Sequence, residues 1–132
     1  MSNANRPAKV LRTALKRLQR GWTQGTFYSG PGDGDGYFWK KNKNTAIPKV
    51  CLRGAIHGYQ GQVKTAQSIV AEKAVLAAIN ELFPNPSGAW VNVMAFNEHS
   101  DTTFEMVEKV TKLGLIKLET GWEPPILNSS NS

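Results

Sequence analysis

Cys51 is the only cysteine of the chain, and His57 and His99 are its only imidazoles. A thiol, an imidazole base and an amide donor such as Gln24 are the parts of a cysteine hydrolase, which needs a thiolate, a proton acceptor and an oxyanion donor. The sequence predicts Cys51 in the first turn of a helix, between Lys49 and Arg53. A helix N-terminus and nearby cations lower a thiol pKa. Against this, His57 lies six residues along the same helix, or about 9 Å along the axis, a poor position for the base. A free cysteine among Gly54 and Ala55 also fits buried packing. One cysteine and two histidines cannot fill a Cys/His-only zinc site. Asn97, Glu98 and Asp101 could meet a cation, but the same residues suit the entry of a helix. Asp33 and Asp35 in GDGDG lack a later bidentate glutamate, so a plain turn is expected. Phosphate-binding loops, the dinucleotide fingerprint and the serine elbow are all missing from the sequence. The motifs therefore weigh against an enzyme, and the reading assigns no catalytic residue, no metal and no cofactor. A hydrolase built on Cys51 is the lesser alternative.

The remaining chemical signal is cationic and aromatic. Residues 1–64 hold twelve Lys/Arg and two acids, a balance of +10, while residues 65–132 hold four lysines and eight acids, a balance of −4. Lys9, Arg12, Lys16 and Arg20 recur at helical spacing. In YFWKKNKN, Tyr37 and Trp39 fall on one side of an alternating strand and precede Lys40, Lys41 and Lys43. Rings that stack on bases beside cations that seek phosphates are how single-stranded nucleic acid or a nucleotide is held. The turn Trp22-Thr23-Gln24-Gly25 adds two candidates. Trp22 suits a core anchor, and Gln24 either bonds a loop backbone or reads a ligand. The expected function is a small non-catalytic binding protein whose basic N-terminal half engages nucleic acid or a nucleotide. The binding set is Lys9, Arg12, Lys16, Arg20, Tyr37, Trp39, Lys40, Lys41, Lys43, Trp22, Gln24 and Asn97. The alternative is an inhibitor that binds an acidic surface of a host protein.

These groups need elements to hold them. Ala8–Arg20 has Leu11, Ala14, Leu15 and Leu18 on one side, with Pro7 before it and Gly21 after it, and is predicted helical. TFYSGPGDGDGYFWKK predicts a β-hairpin across a Gly/Pro/Asp turn. Pro48–Gly58 predicts a short second helix with Pro48 in its first turn. Thr65–Phe83 is a long amphipathic helix that Thr65 can cap and Pro84 closes. Ala89–Phe96 is open between a short buried strand and an extended loop. Thr102–Leu113 is a helix with a Thr102/Glu105 capping box, ended by Gly114. The fold class is α+β: a compact, mainly helical single domain with about four helices, one hairpin and room for a third short strand. Residues 1–118 form the domain, and 119–132 read as a Pro/Asn/Ser-rich tail.

Three segments, GWTQGTF (Gly21–Phe27), VCLRGAI (Val50–Ile56) and FNEHSDTTFEMVEKV (Phe96–Val110), carry a resemblance. In this order they resemble an uncharacterised domain-of-unknown-function family of small bacterial and phage proteins. Its pattern is a helix ending in a W-x-Q-G turn, a C-x-x-G-A helix, and an aromatic-Asn-acidic turn before a Thr-capped helix. Trp22, Gln24, Gly25, Cys51, Gly54, Ala55, Asn97, Glu98 and Thr103 match. Phe96 stands where tryptophan is commoner, and Glu98 where aspartate is commoner. The resemblance runs from about Val10 to Leu113. It implies a shared fold and a bacterial or phage setting, and it implies no activity.

Length and composition bound the rest. The 132 residues, 40% hydrophobic and 20% charged, suit one globular domain with its own core. No apolar run reaches the roughly 20 residues that span a bilayer. The start, MSNANRPAKVLR, lacks a signal-peptide core, so the expected compartment is the cytoplasm and no membrane partner is expected.

Overall fold

A computed structural model describes residues 5–24, 28–29, 49–58 and 64–125. Five helices lie among them: α1 (Asn5–Arg20), α2 (Leu52–His57), α3 (Ala66–Leu82), α4 (Val93–Glu98) and α5 (Phe104–Glu119). The fold is mainly helical. The core is the shared face of α1, α3 and α5, where Leu11, Leu18, Val75, Ile79, Val107 and Val110 are buried. Burying each such side chain stabilises the fold by about 1.5–3 kcal/mol.

Each helix start has a local cause. Pro7 is tolerated in the first turn of α1, where its missing N–H has no intrahelical partner to lose. Thr65 caps α3: its hydroxyl accepts from Ser68 N at 3.0 Å, and Ser68 Oγ accepts from Thr65 N at 2.8 Å. Asn92 caps α4 by accepting from Ala95 N at 2.8 Å. Thr103 caps α5 by accepting from Met106 N at 3.3 Å.

Five sequence expectations need correction. The helix after Pro48 starts later than predicted. Lys49–Val50 is instead a strand, β2, paired antiparallel with Tyr28–Ser29, β1, in the register Tyr28 with Val50 and Ser29 with Lys49. This two-residue pairing takes the place of the hairpin, which the described residues do not contain; its expected second arm, through Tyr37 and Trp39, lies outside them. Ala89–Phe96 is neither strand nor wholly extended, because Asn92 starts α4 inside it. Val93 and Phe96 then occupy one buried face, with the Phe96 ring 6.0 Å from Phe83 and 5.6 Å from Trp90. The last helix begins one residue later than expected, leaving Thr102 buried and donating to Phe96 O at 2.7 Å.

The fifth correction is Gly114. It does not end α5, which continues to Glu119, but sits buried within it. A β-carbon there would lie 3.0 Å from Val75 Cγ2 and 3.2 Å from both Leu11 Cδ1 and the Val75 backbone. The glycine permits the close approach of three helices and offsets its poor helix propensity in that way. Gly114→Leu should therefore lower stability by about 1–3 kcal/mol, the usual cost of overpacking. A urea-unfolding midpoint equal to wild type would show that the helices are not held at this distance.

Candidate functional site

α1 carries six Lys/Arg and no acid over sixteen residues. Arg6, Lys9, Lys16 and Arg20 are exposed and recur along one face with Thr13. Among the described residues, Arg6, Lys9 and Lys16 have no carboxylate partner. Arg12 points to another side of the helix and pairs with Glu119 at 2.8 Å. The predicted stripe is thus split: Lys9, Lys16 and Arg20 share a face, and Arg12 is neutralised by the later half of the chain.

Beside this face lies a concavity of about 660 Å³ between α1, α2 and the start of α3. Arg6, Lys9 and Arg17 line one wall, Ile56, His57 and Gly58 the floor, and Thr65, Gln67 and Ser68 the other wall. Among the described residues that line it there is no acid. Two long-range contacts hold the walls in place. Arg17 donates from Nη1 to Ala55 O at 2.9 Å, tying α1 to α2. His57, 2% exposed, meets Ser68 Oγ with Nδ1 at 2.9 Å and Glu72 with Nε2, tying α2 to α3. Burial pushes the Glu72 carboxyl up. The hydrogen bond and charge of His57, with Arg53 and Lys64, outweigh it and hold the group below its ordinary pKa.

A second, smaller concavity of about 390 Å³ lies on the far side of Glu72. It is lined by Arg53, Lys64, Lys73, Ile69 and Val91 among others. The buried Nε of Arg53 has no hydrogen-bond partner there.

Trp22, Gln24 and Asn97 also come together, but around the protein itself. Asn97 is fully buried. Its Oδ1 accepts from Trp22 Nε1 at 2.7 Å and from Leu52 N at 3.0 Å. Its Nδ2 donates to Thr23 O at 3.3 Å and Glu98 Oε2 at 2.8 Å. Gln24 Nε2 donates to Asn97 O at 2.8 Å and His99 O at 3.0 Å. The Gln24 amide nitrogen thus bonds backbone carbonyls at the end of α4. One buried side chain joins the turn after α1, the start of α2 and the end of α4.

Cys51 precedes α2 instead of lying in its first turn. It is 3% exposed, and its Sγ accepts from Gly54 N at 3.3 Å. Burial pushes the thiol pKa up and wins over the N–H groups of Gly54 and Arg53 that pull it down; Glu98 adds to the rise. The expected activation of the thiol is thereby reversed. Both candidate bases are engaged elsewhere, His57 with Ser68 and Glu72, and His99 with Asp101 N at 3.1 Å.

Tyr37, Trp39, Lys40, Lys41 and Lys43 lie outside the described residues, as does the GDGDG segment. Among the described residues no three His, Cys, Asp or Glu side chains are grouped to hold a metal ion. No helix there is long and apolar enough to cross a membrane. Sequence reasoning missed the concavity and its His57 clamp. Arg6 and Arg17 were visible as charges on the first helix. His57 and Glu72 stand fifteen residues apart on different helices, a spacing with no local signature.

Trp22, Gln24, Asn97 and Glu98, four of the residues that carry the resemblance, thus share one hydrogen-bonded junction in a mainly helical fold. The chain belongs to DUF6197, a family of unknown function whose model matches residues 2–112. No curated protein and no solved structure matches it.

Two measurements follow from this geometry. Asn97→Ala leaves two donors, the part-buried Trp22 Nε1 and the buried Leu52 N, without their acceptor. Each such group costs about 1–3 kcal/mol, so a loss of about 2–4 kcal/mol is expected in urea unfolding, with a smaller loss for Trp22→Phe. Equal losses from the two variants would mean that Asn97 holds nothing beyond the tryptophan. For Cys51, native protein at neutral pH should react with iodoacetamide more slowly than a free thiol, reaching the free rate only in denaturant. Fast native labelling would restore the activated thiol.

Proposed function

We propose that this protein is a non-catalytic binding module that docks nucleic acid on the exposed face of α1. One observation carries the reading: Arg6, Lys9 and Lys16 stand exposed along a helix without acids, and no described carboxylate neutralises them. Arg6 to Arg20 spans about 21 Å of helix at 1.5 Å per residue. A duplex presents a phosphate about every 3.4 Å along each strand, so this face can meet several phosphates. Phosphate contacts of this type give affinity without base specificity. Tyr37 and Trp39, with Lys40, Lys41 and Lys43, enter the proposal from the sequence as stacking and phosphate-seeking groups.

The test is a titration of fluorescently labelled single- and double-stranded oligonucleotides across a series of salt concentrations. Affinity should fall with salt. Changing Lys9 and Lys16 together to Ala should reduce the slope of log K against log salt by about 2, roughly one per lost phosphate contact. Lys112→Ala, on α5 beside Glu108, should leave the slope as it is. Binding that ignores salt, or a double variant with the wild-type slope, overturns the nucleic-acid reading. The same cations would then suit an acidic protein surface instead.

A further inference from the structure

We infer that the concavity between α1, α2 and α3 seats a phosphate monoester: a phosphate carried on a single ester bond and exposing three oxygens. The inference deepens the nucleic-acid reading for its macromolecular source, because a strand lying along α1 would place its phosphorylated end here. A free mononucleotide offers the same group.

The first ground is charge at the edge of an open concavity. Arg6 and Lys9 reach the concavity from the α1 face, and among its described lining residues no acid opposes them. Arg17 enters the same wall while anchored to Ala55 O. At neutral pH a phosphate monoester carries about −1.5 to −2 charges. An internal phosphodiester carries one charge and has a sugar on each side, so only a terminal phosphate can enter a hollow end-on.

The second ground is the far wall. α3 is seventeen residues long and begins in this concavity with no acid in its first turn. Thr65 and Ser68 satisfy one another's backbone N–H groups. The N–H groups of Ala66 and Gln67 have no acceptor within the helix, as the geometry of any helix start requires. Gln67 lines the concavity, so this helix start faces the cations, where the helix dipole favours an anion.

The third ground is size and floor. About 660 Å³ exceeds what a phosphate alone needs and lies within the 300–1,000 Å³ usual for small-molecule sites. Half-buried Val10 gives the hollow an apolar edge against which the attached nucleoside can rest. His57, locked between Ser68 and Glu72, keeps the floor in place without offering a free ring nitrogen to the ligand.

The experiment compares one oligonucleotide sequence with a 5′-phosphate, with a 3′-phosphate and with hydroxyls at both ends, all binding the full chain. Inorganic phosphate and a nucleoside 5′-monophosphate are titrated separately while the amide resonances of Ala66 and Gln67 are followed. A phosphorylated end should tighten binding about tenfold, and the free phosphates should shift both amides. Gln67→Glu places a carboxylate in the first turn of α3, which favours the helix, so its melting temperature should not fall. This variant should lose both the end preference and the amide shifts. Equal affinity for phosphorylated and unphosphorylated strands, with unmoved amides, overturns the phosphate seat and leaves the α1 docking face standing. Amide shifts with free phosphate but no strand binding support the seat, assign its ligand to a mononucleotide, and overturn the nucleic-acid reading instead.

Discussion

The six residues of α2 are too few to form a stable helix by themselves, since helix nucleation is unfavourable and so short a helix repays little of it. Its position therefore depends on side chains from elsewhere. At its start, Leu52 N donates to Asn97 Oδ1 and Gly54 N to Cys51 Sγ. In its middle, Ala55 O accepts from Arg17. At its end, His57 is clamped by Ser68 and Glu72. Ile56, His57 and Gly58 then make the floor of the larger concavity. Remove these bonds and the α1 cations would face open solvent instead of a shaped hollow. The buried Asn97 thus bears on a surface it does not touch.

The uneven charge along the chain resolves into two sides of one helix. On the side of α1 that faces α5, Arg12 meets Glu119 at 2.8 Å and Gln19 donates to Glu108 at 3.0 Å. Both partners of the Arg12–Glu119 pair are roughly half exposed, so it contributes on the order of 0–1 kcal/mol. Its greater effect is geometric, because it takes acids of the later half to the side away from the concavity. Glu72, the acid nearest the clamp, is bound to His57 and lines the smaller hollow. Arg12 is therefore used in holding α1 to α5, while Arg6, Lys9 and Arg17 line the larger concavity, among whose described lining residues there is no acid.

Periodicity made the long helices legible. Leu11, Ala14 and Leu18 mark the buried face of α1, and Thr65 marks the start of α3, as the pattern predicts. The pattern misled where one residue type serves two purposes. Gly114 has the composition of a helix stop, yet its place between Val75 and Leu11 uses the missing side chain for contact. Val93 and Phe96 have strand character, but Asn92 supplies a cap, and a single helical turn is enough to bury both. The motifs carrying the family resemblance pointed to residues that do converge, Trp22, Gln24 and Asn97. What they build is hydrogen bonding within the protein, a distinction no spacing rule draws. The concavity was illegible because its walls come from three helices and its clamp joins residues with no local relation.

The clamp also bears on the question of catalysis. Ser68, His57 and Glu72 are connected in the order that hydrolases use: hydroxyl, imidazole, carboxylate. In such a relay the hydroxyl must be free to attack once the imidazole takes its proton. Here Ser68 Oγ accepts from Thr65 N at 2.8 Å and lies 3.1 Å from Thr65 O as a donor, so it is part of the α3 cap. Ser68 is 4% exposed and His57 2%. Attack would require Ser68 to leave the cap, which costs about 1 kcal/mol, and the imidazole to follow it out of a packed wall that also fixes α2. The first cost is small and the second is structural. The same chain of bonds that resembles a nucleophile relay is thus better suited to stiffening the floor of the concavity, where a fixed imidazole keeps α2 and α3 in register.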